Sequence, residues 1–419
     1  MPQLGAIADD LTGATDLAIV LTASGFRTAV VPGEVMAGGP PSSVDDADAV
    51  VVALKSRTAP VEQAVAESLA ALDGLREAGC TRFLFKYCST FDSTPAGNIG
   101  PVADALQDAL GSRWTVVAPA FPANGRTVYA GHLFVGTDPL DESPMRDHPL
   151  TPMRDSSLVR LLAPQVRDGA AAVGHVGLGH VEAGPEALRR ALDDAVAAGA
   201  RYLVADAVRD ADLVTLVEAT ADLPLLTGGS AVAQGLSGPR EVAEVAVAVG
   251  DGPRVVLSGS ASQATQRQVR AGVAAGRGIK LDPAALRADA AAEHAALADR
   301  VLDAGAADGP VVVHATAEPG DVADPADAPL FERALAALAR ELVDRGVRAI
   351  AVAGGETSGA VVAALGVRSL AVGPRLDPGV AWSLAERSGS GEPLALLLKS
   401  GNFGGEDLFV RAWTAGAGR

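Results

Sequence analysis

Residues 49–78, AVVVALKSRTAPVEQAVAESLAALDGLREA, predict a strand followed directly by an amphipathic helix. Positions 49–54 form an unbroken apolar run with the length of a buried strand. Across 61–78 the apolar side chains recur three or four residues apart, which is the spacing of one buried helical face. A strand, a short loop and a helix in this order form the repeating unit of α/β domains with mostly parallel sheets.

The same alternation of short apolar runs and Ala/Leu-rich segments continues along the chain. The apolar runs predict strands at Gly5–Ala8, Thr28–Val31, Ala49–Leu54, Arg82–Phe85, Thr115–Ala118, Ala171–Val176, Tyr202–Ala205, Arg254–Leu257, Pro310–Val313, Ala349–Val352, Ser369–Val372 and Leu394–Leu398. The Ala/Leu-rich segments predict helices at Val61–Ala78, Pro185–Ala198, Gln263–Ala275, Pro283–Ala304, Pro329–Arg345 and Ser358–Leu365.

The chain of 419 residues is longer than a single hydrophobic core usually supports, so two domains are expected. The alternating pattern loosens after Leu236 and ends in Gly and Pro near position 253. We therefore predict a first domain over 1–236, a linker over 237–253 and a second domain over 254–419. Each domain is expected to be a mostly parallel sheet flanked by helices.

The composition excludes several classes of function. The 51 acidic residues exceed the 34 basic ones, and a net charge of −17 disfavours both a broad nucleic-acid-binding face and docking on an anionic membrane. No apolar run approaches the ~18 residues of a transmembrane helix. The N-terminal segment has two aspartates where a signal peptide is apolar. Cys80 and Cys88 lack the spacing of a zinc site or a disulfide framework, so we expect a cytoplasmic protein.

Polar residues collect where the predicted strands of the first domain end. Ligands of open α/β sheets bind at the carboxyl ends of the strands, which makes these residues the candidate site. One strand ends in Asp9 and Asp10, another leads to Arg57, and a third leads to Lys86. Carboxylates mixed with cations suit a small polyhydroxy acid, because the cations hold its carboxylate and an aspartate accepts a hydroxyl proton.

The strand ends of the second domain carry glycine and hydroxyl residues instead. They are Ser258, the segment GGETSG at 354–359, and the segment KSGNFGG at 399–405. Backbone N–H groups of such turns, next to helix N-termini, suit a polyphosphate. GGETSG has the glycine spacing of a P-loop, but Ala360 and Val361 stand where that motif requires Lys and Ser or Thr, so a P-loop kinase fold is disfavoured.

Lysine is rare in this chain, since only four of the 34 basic residues are lysines. Lys55, Lys86 and Lys399 follow predicted strands, and Lys280 is the fourth. Arginine cannot always replace the compact charge of an ammonium group, so the lysines at strand ends are candidate functional residues.

Each candidate also has a purely structural interpretation. Asp9 and Asp10 could form a helix N-cap cluster, and the glycine run at 354–359 could be only a tight turn between a strand and a helix. Arg57 could lie on the surface, as most loop arginines do. These alternatives remain open at the level of the sequence.

Other polar features are interpreted as structural. His175 and His180 have neither helical nor strand spacing for a shared metal, so we place them in loops or in the core. Cys88 lacks the histidine and asparagine partners of a cysteine nucleophile and is expected to pack internally. The Gly/Pro-rich stretch 129–157 is expected to be irregular, as in a lid or a dimer arm.

Seven blocks of sequence occur in order over nearly the whole chain: IADDLTGATDLA (7–18), FKYCSTFDSTPAGNIGP (85–101), APAFPANGRTVYAGHLFV (118–135), MRDHPLTPMRDS (145–156), VVLSGSAS (255–262), AVAGGETSGAVV (351–362) and LLLKSGNFGGEDLF (396–409). Together they resemble the four-carbon acid sugar kinase family. The resemblance implies a sugar-acid-binding N-terminal domain, a nucleotide-binding C-terminal domain and an active site in the cleft between them. The CSTFDST segment after Lys86 resembles the 3-oxo-tetronate 4-kinase branch, whereas threonate and erythronate kinases carry a shorter, KKIDSTLRGN-like block.

The resemblance also implies roles for individual residues. The expected acid-sugar contacts are Asp9, Asp10, Arg57, Lys86, Asp92, Ser93, Thr94 and Asn98. The expected ATP contacts are Ser258, Gly354, Gly355, Glu356, Thr357 and Gly401. Asp10 is the first candidate for the aspartate that orients and deprotonates O4 of the sugar acid, and Asp92 is the second.

We therefore expect a phosphotransferase that uses ATP and Mg²⁺ to convert a 3-oxo-tetronate into its 4-phosphate. A D-threonate or D-erythronate 4-kinase is the alternative, and a non-catalytic sugar-acid sensor is a more remote one. A dehydrogenase is disfavoured, because no G-x-G-x-x-G segment follows a strand. The expected partners are a small sugar acid and ATP, without nucleic acid or membrane, and a homodimer is considered. Which residues bind the Mg²⁺ is left open by the sequence.

Overall fold

The computed structural model describes residues 2–148, 151–241, 243–250, 252–304, 309–321 and 327–414. Positions 149–150 of the block at 145–156 and positions 242 and 251 of the predicted linker lie outside the described residues. The contacts between residues divide the chain into two compact units, Met1–Ala243 and Glu244–Arg419. The active-site cleft expected between two domains stays a prediction.

The first unit alternates strands with helices along the chain. Its strands are β1 (Leu4–Ala8), β2 (Thr28–Pro32), β3 (Ala49–Ala53), β4 (Arg82–Lys86), β5 (Thr115–Ala118), β6 (Arg126–Tyr129), β7 (His132–Val135), β8 (Asp138–Pro139), β9 (Val173–Val176), β10 (Tyr202–Ala205) and β11 (Leu225–Gly228). Its helices are α1 (Leu11–Ala23), α2 (Gly33–Ala37), α3 (Val61–Glu77), α4 (Ile99–Leu110), α5 (Leu158–Leu162), α6 (Leu178–Glu182), α7 (Pro185–Ala197) and α8 (Asp210–Ala219).

Eight of these strands, as far as the structure describes the unit, pair in the order β2-β3-β1-β4-β11-β5-β10-β9, and every pairing is parallel. Strands β1, β2 and β3 are buried at every position, as expected for a sheet covered on both faces. Strand β1 lies between β3 and β4, so Ala8 is in register with Ala53 on one side and with Lys86 on the other. The sheet therefore brings the ends of three neighbouring strands to one edge.

The described part of the stretch 129–157 is less irregular than its Gly and Pro content predicts, because it contains three strands and packs into the first unit. Its role as a lid or a dimer arm stays a prediction. Strands β6, β7 and β8 form a small antiparallel sheet within the described residues. The apolar side chains of Leu133, Leu140 and Met153 are completely buried in the core of the unit. These three side chains hold the segment in the core, but they lie too far apart in the sequence to indicate a strand.

The second unit contains the strands β12 (Val255–Ser258), β13 (Arg277–Lys280), β14 (Val311–His314), β15 (Ala349–Ala353), β16 (Val367–Asp377), β17 (Val380–Arg387) and β18 (Ser390–Lys399). Its helices are α9 (Gln263–Ala275), α10 (Pro283–Ala288), α11 (Ala290–Asp303), α12 (Ala328–Asp344), α13 (Gly355–Ala364) and α14 (Leu408–Arg411). In the described residues the strand order is β13-β14-β12-β15-β18-β17-β16. The pairings from β13 to β18 are parallel, and those of β17 with β18 and β16 are antiparallel.

The mostly parallel α/β architecture predicted from the sequence is confirmed, with local corrections in the second unit, among them strand β13, which was not predicted. The helix expected over Pro283–Ala304 is interrupted at Asp289, which has φ −156° and ψ 92° and whose carboxylate caps the second of the two helices. Strand β17 was not predicted, although it pairs with both β16 and β18. None of the helices within the described ranges is long and apolar enough to span a membrane.

Candidate functional site

The first cluster of polar side chains lies at the ends of β3, β1 and β4. Asp9 and Asp10 follow β1, Arg57 lies in the loop after β3, and Lys86 is the last residue of β4. The backbone N–H of Asp9 donates to the Lys86 carbonyl at 3.0 Å, and the N–H of Arg57 lies 3.3 Å from the Asp9 carbonyl. The three strand ends are therefore tied together by main-chain hydrogen bonds, and their side chains share one edge of the sheet.

Arg57 connects three carboxylates instead of lying free on the surface. Its Nε and Nη2 donate to Oδ2 and Oδ1 of Asp9, both at 2.9 Å. Nη2 also lies 2.9 Å from Oδ1 of Asp10, and Nη1 lies 3.8 Å from Oδ2 of Asp92. Burial lowers the pKa of Arg57, but Asp10 and Asp9 outweigh burial and raise it well above its ordinary value. The guanidinium is a permanent, fixed charge.

Asp10 is both a helix cap and a member of the cluster. It is the N-cap of α1, since its Oδ1 accepts from the backbone N–H of Gly13 at 2.9 Å and its Oδ2 accepts from Thr12 Oγ1 at 2.9 Å. Burial alone raises the pKa of Asp10, but the charges of Arg57 and Lys86 and these two hydrogen bonds outweigh it and lower the pKa. The carboxylate is therefore ionised at neutral pH.

The three carboxylates around Arg57 differ in accessibility. The side chain of Asp10 is 25% exposed, compared with 8% for Asp9 and 7% for Asp92. Asp10 is consequently the member of this set that a small molecule can reach most readily. Asp10 can be both a helix cap and a binding residue, because part of its carboxylate stays exposed after the capping hydrogen bonds are made.

Lys86 is only 3% exposed and lies over the first turn of α1. A Cβ atom placed on Gly13 would stand 2.9 Å from Lys86 Nζ and 2.3 Å from Oδ1 of Asp10. Glycine at position 13 therefore lets the ammonium group and the capping carboxylate approach the helix together. A side chain of any size would push one of them away.

Asp16 is a buried acid that the sequence reasoning did not select. It is 4% exposed, it accepts from Ser230 Oγ, and its Oδ1 is buried without a partner among the described residues. Burial raises the pKa of Asp16, and the charge of Lys86 opposes the rise. Its position in the sequence could have indicated this burial. Asp16 directly precedes the apolar run at 17–21, and helix α1 is buried from Leu11 to Thr22.

The segment after β4 delivers Asp92 to the cluster. Thr90 Oγ1 donates to Asp92 Oδ1 at 2.6 Å, and Cys88 Sγ lies 3.0 Å from the same hydroxyl. Phe91 is fully buried at φ +51° and packs edge-on against Tyr87 with ring centroids 5.6 Å apart. The buried ring fixes the course of the segment, which sets the position of Asp92 relative to Arg57.

The other residues predicted from this segment make hydrogen bonds within the unit, Ser93 and Asn98 through their side chains and Thr94 through its carbonyl. Ser93 Oγ donates to Gln165 Oε1 at 3.0 Å. The Thr94 carbonyl accepts from the N–H of Gly97 at 2.8 Å. Asn98 Nδ2 donates to carbonyls of the loop that carries Arg57, those of Ser56 at 2.7 Å and Ala59 at 2.8 Å. Direct sugar-acid contacts of Ser93, Thr94 and Asn98 stay predictions.

Cys88 has the structural environment expected for it, whereas the expectation that His175 and His180 lie in loops or in the core is wrong. His175 is exposed on strand β9, and His180 is exposed in helix α6. Burial raises the pKa of the Cys88 thiol to about 12, which leaves little thiolate for nucleophilic chemistry at neutral pH. His175 Nε2 lies 2.9 Å from Oδ1 of Asp206, and Asp206 also accepts from the backbone N–H groups of Ala130 and Gly131. This carboxylate joins the small antiparallel sheet to the end of β10.

The second cluster lies at the ends of β12, β15 and β18, which are neighbours in the sheet of the second unit. Ser258 is in register with Ala353, and Ala353 is in register with Lys399. The N–H of Gly259 donates to the Ala353 carbonyl at 3.1 Å, and the N–H of Gly354 donates to the Lys399 carbonyl at 3.0 Å. The glycine turns predicted from the sequence therefore start from adjacent strands.

Glycine is required at two positions of these turns. Gly354 has φ +119°, and a Cβ atom there would meet Thr357 Oγ1 at 3.2 Å and the Ser260 nitrogen at 3.3 Å. A Cβ atom on Gly259 would stand 2.2 Å from Thr357 Oγ1. The two turns thus pack against each other through Thr357, and α13 begins at Gly355 with Glu356 exposed in its first turn.

The turn after β18 is held from behind by helix α9. The Gly401 carbonyl accepts from Ser262 Oγ, the N-cap of α9, and from Thr265 Oγ1 at 2.7 Å. The Gln268 amide donates to the carbonyl of Gly404 at 2.8 Å. These hydrogen bonds hold two carbonyls of the turn against α9. The hydroxyl of Ser258 is completely buried and has no partner among the described residues.

Comparisons with known proteins agree with this arrangement. A family model described as a sugar-binding N-terminal domain matches residues 4–236, and one described as a nucleotide-binding C-terminal domain matches residues 255–409. A 3-oxo-tetronate kinase of Cupriavidus necator is 50% identical over 98% of this chain and 96% of its own length. A 3-oxo-tetronate kinase of Pseudomonas fluorescens is also 50% identical, over the same shares of the two chains.

A solved structure from Salmonella typhimurium, described as that of a tRNA synthase, superposes with a TM-score of 0.87 at 41% identity. The superposition covers 98% of this chain and 99% of the other. The two family models and the near-complete coverage of these relatives together identify the chain as a member of the four-carbon acid sugar kinase family.

Proposed function

We propose that this protein is an ATP-dependent kinase that transfers the γ-phosphoryl group of ATP to O4 of a 3-oxo-tetronate. The observation that carries the proposal is the 50% identity, over nearly the whole chain, to relatives named 3-oxo-tetronate kinase. The cluster around Arg57 supports it, because fixed cations beside an accessible carboxylate suit a substrate with one acid group and one reactive hydroxyl.

In the first unit, we propose that Arg57 and Lys86 attract the carboxylate of the sugar acid. Asp9 holds the guanidinium of Arg57 in place through two hydrogen bonds, so the charge and the other N–H donors of Arg57 have fixed positions. Asp10 is the proposed partner of O4, and Asp92 is the second candidate. Because its pKa is lowered, Asp10 is better suited to accept a hydrogen bond from O4 than to take up its proton. This suits phosphoryl transfer, because the loose transition state of that reaction depends mainly on positioning and charge.

In the second unit, we propose that ATP binds over the turns at the ends of β12, β15 and β18. Ser258, the turn Gly354–Thr357 and Gly401 are the proposed contacts. The buried hydroxyl of Ser258 without a partner and the fixed carbonyls of the third turn support this assignment. Glycine turns at strand ends let the backbone approach phosphate groups closely.

Mg²⁺ is proposed to enter as part of the MgATP substrate. Among the described residues, no group of three or more His, Cys, Asp or Glu side chains could hold a metal ion. Mg²⁺ commonly keeps several waters and is bound through one or two carboxylates and the phosphates of the nucleotide. The ion would neutralise phosphate charge, while Asp10, Arg57 and Lys86 bind and orient the acceptor.

Three other functions are less well supported. A net charge of −17 opposes the binding of tRNA, whose phosphate backbone requires a basic face. A non-catalytic sensor would not account for a second unit matched by a nucleotide-binding model. A kinase for D-threonate or D-erythronate differs in substrate by a single carbonyl group and therefore has to be separated by experiment. The homodimer stays a prediction.

The test is a coupled assay of ADP release with MgATP and a panel of four-carbon acids and their 3-oxo forms. We expect kcat/KM to be highest for a 3-oxo-tetronate, with the phosphate on O4 in the product as observed by ³¹P NMR. A higher kcat/KM for D-threonate or D-erythronate would select the alternative kinase. Binding of a sugar acid with no ADP release above the rate without acceptor would select the sensor.

A further inference from the structure

Lys399 connects the two glycine turns that follow β15 and β18. Its carbonyl accepts from the N–H of Gly354 at 3.0 Å. Its Nζ donates to Thr265 Oγ1 at 2.8 Å and to the Gly401 carbonyl at 3.2 Å. Ser262 Oγ donates to the same Gly401 carbonyl. One residue therefore holds the first turn through its main chain and the second turn through its side chain.

The charge of Lys399 has no counter-ion in the described part of the chain. The side chain is completely buried, and none of the ion pairs among the described residues includes it. The hydroxyl it contacts belongs to Thr265, in the first turn of α9. A helix N-terminus carries partial positive charge, so this position repels a cation when no anion is present.

Lys280 shows the contrast within the same sheet. It is also the last residue of a parallel strand, β13, but its side chain is 55% exposed and forms an ion pair with Asp321. The charge of Lys280 is thus both neutralised and solvated. Lys399 has neither advantage, although burying an ammonium group without an anion costs several kcal/mol.

Within the ranges that the structure describes, the surroundings of the Lys399 ammonium contain no titratable partner. Helix α9 contributes the Thr265 hydroxyl, α14 contributes the Phe409 ring with its centroid 6.0 Å away, and the register partner on β15 is Ala353. Burial lowers the pKa of Lys399 to about 7, and no charged side chain contributes to this shift. The group therefore loses its proton within the physiological range.

We propose that Lys399 is a positioning residue of the nucleotide site, which fixes the Gly401 turn and supplies a buried positive charge that the bound polyphosphate neutralises. This inference rests on the proposed binding of ATP in the second unit. The GGETSG segment lacks the lysine of a P-loop, because Ala360 occupies that position. Lys399 provides an ammonium group from the neighbouring strand, behind the turn instead of within it.

The arrangement couples nucleotide binding to a proton. An anion near Lys399 favours its charged form and raises its pKa, so binding takes up protons at a pH above about 7. By the same linkage, the affinity for MgATP falls as the pH rises through this range. A lysine that only packed against the turn would have the same pKa in the free and the nucleotide-bound chain and would produce neither effect.

The experiment is isothermal titration of the full chain with MgATP at pH 8, in Hepes and in Tris, whose ionisation enthalpies differ. At this pH the phosphates of MgATP are already ionised, so a proton taken up is assigned to the protein. We expect the wild-type chain to take up between about half a proton and one proton per MgATP. The Lys399→Met variant should take up none and bind MgATP about tenfold or more weakly.

Lys280→Met is the matched control, because it removes a lysine at another strand end of the same sheet whose charge is already paired. It should keep both the affinity and the proton uptake of the wild type. Thermal unfolding of Lys399→Met should show a midpoint no lower than that of the wild type, since the substitution removes a buried charge without a counter-ion.

The outcomes separate this inference from the proposed function. A wild-type chain that binds MgATP without proton uptake overturns the role of Lys399 and leaves the kinase proposal intact. So does a Lys399→Met variant with wild-type affinity. A wild-type chain that binds no MgATP at all overturns the nucleotide site itself.

Discussion

Arg57 binds Asp9 through two parallel hydrogen bonds, Nε to Oδ2 and Nη2 to Oδ1, each 2.9 Å long. The same guanidinium lies 2.9 Å from Asp10, so a residue from the loop after β3 sets the position of two carboxylates that follow β1. The two hydrogen bonds require the planar fork of arginine. A lysine at position 57 would keep the charge and lose the geometry.

Arg57→Lys is therefore expected to lower kcat/KM for the sugar acid by about 10- to 100-fold, while the affinity for MgATP stays unchanged. Steady-state kinetics and titration with MgATP measure the two effects. Arg160→Lys is the matched control, because Arg160 also binds a carboxylate, that of Asp155, through two hydrogen bonds but on the exposed surface. If both variants behave like the wild type, Arg57 is not a substrate anchor.

Asp10→Asn is expected to lower kcat by about 10²- to 10⁴-fold, because it removes the accessible carboxylate proposed to orient O4. MgATP binding should survive. Asp289→Asn is the control for the loss of a charged helix cap, since Asp289 caps α11 by accepting from the N–H of Ala292 at 3.0 Å. Equal kcat values for Asp10→Asn and the wild type would transfer the proposed role to Asp92.

Gly354→Ala is expected to weaken MgATP binding by about tenfold, since φ +119° is strained for any residue with a Cβ atom and the added methyl meets Ser260 and Thr357. Binding of the sugar acid should be retained. Gly359→Ala is the control, because Gly359 lies in α13, the helix that Gly354 precedes, and its Cβ atom would meet nothing within 4 Å. This control should bind MgATP normally and unfold at a slightly higher temperature.

The dependence of activity on pH is expected to be asymmetric. The pKa of Asp10 is lowered, so its carboxylate stays charged and kcat/KM for the sugar acid should show no acidic limb between pH 5 and pH 7. The pKa of Lys399 is about 7, so its charge is lost as the pH rises and KM for MgATP should increase above neutrality. An acidic limb centred near pH 6 would identify a different titrating group in the sugar-acid site.

The strand ends were predictable because a buried strand has a local signal, an unbroken run of apolar residues, and the direction of the chain shows which end of the run is the carboxyl end. Unbroken apolar runs gave the positions of β1, β3 and β4, and the rule for parallel sheets then placed Asp10, Arg57 and Lys86 at one edge. The contacts among these side chains could not be predicted in the same way. They depend on strand order, which joins residues 9, 57 and 86 through pairings that no local pattern contains.

The missing elements had weak local signals for identifiable reasons. Strand β11 is four residues long and directly follows a proline, and β6, β7 and β8 lie among glycines and prolines. Their stability comes from partners distant in sequence, as when Thr115 on β5 donates to the Leu225 carbonyl on β11. The environments of Asp16 and Lys399 escaped prediction for the same reason, since a residue's burial is decided by what packs over it.

Asn98 holds the backbone of the loop that carries Arg57, although it follows the carbonyls it binds by 42 and 39 positions. A growing polypeptide cannot complete this loop until α4 has begun to form. The loop that carries Arg57 is therefore completed after its own strand. A ribosome-bound fragment ending before residue 98 would contain Arg57 and Asp9 without the hydrogen bonds that hold the backbone of this loop.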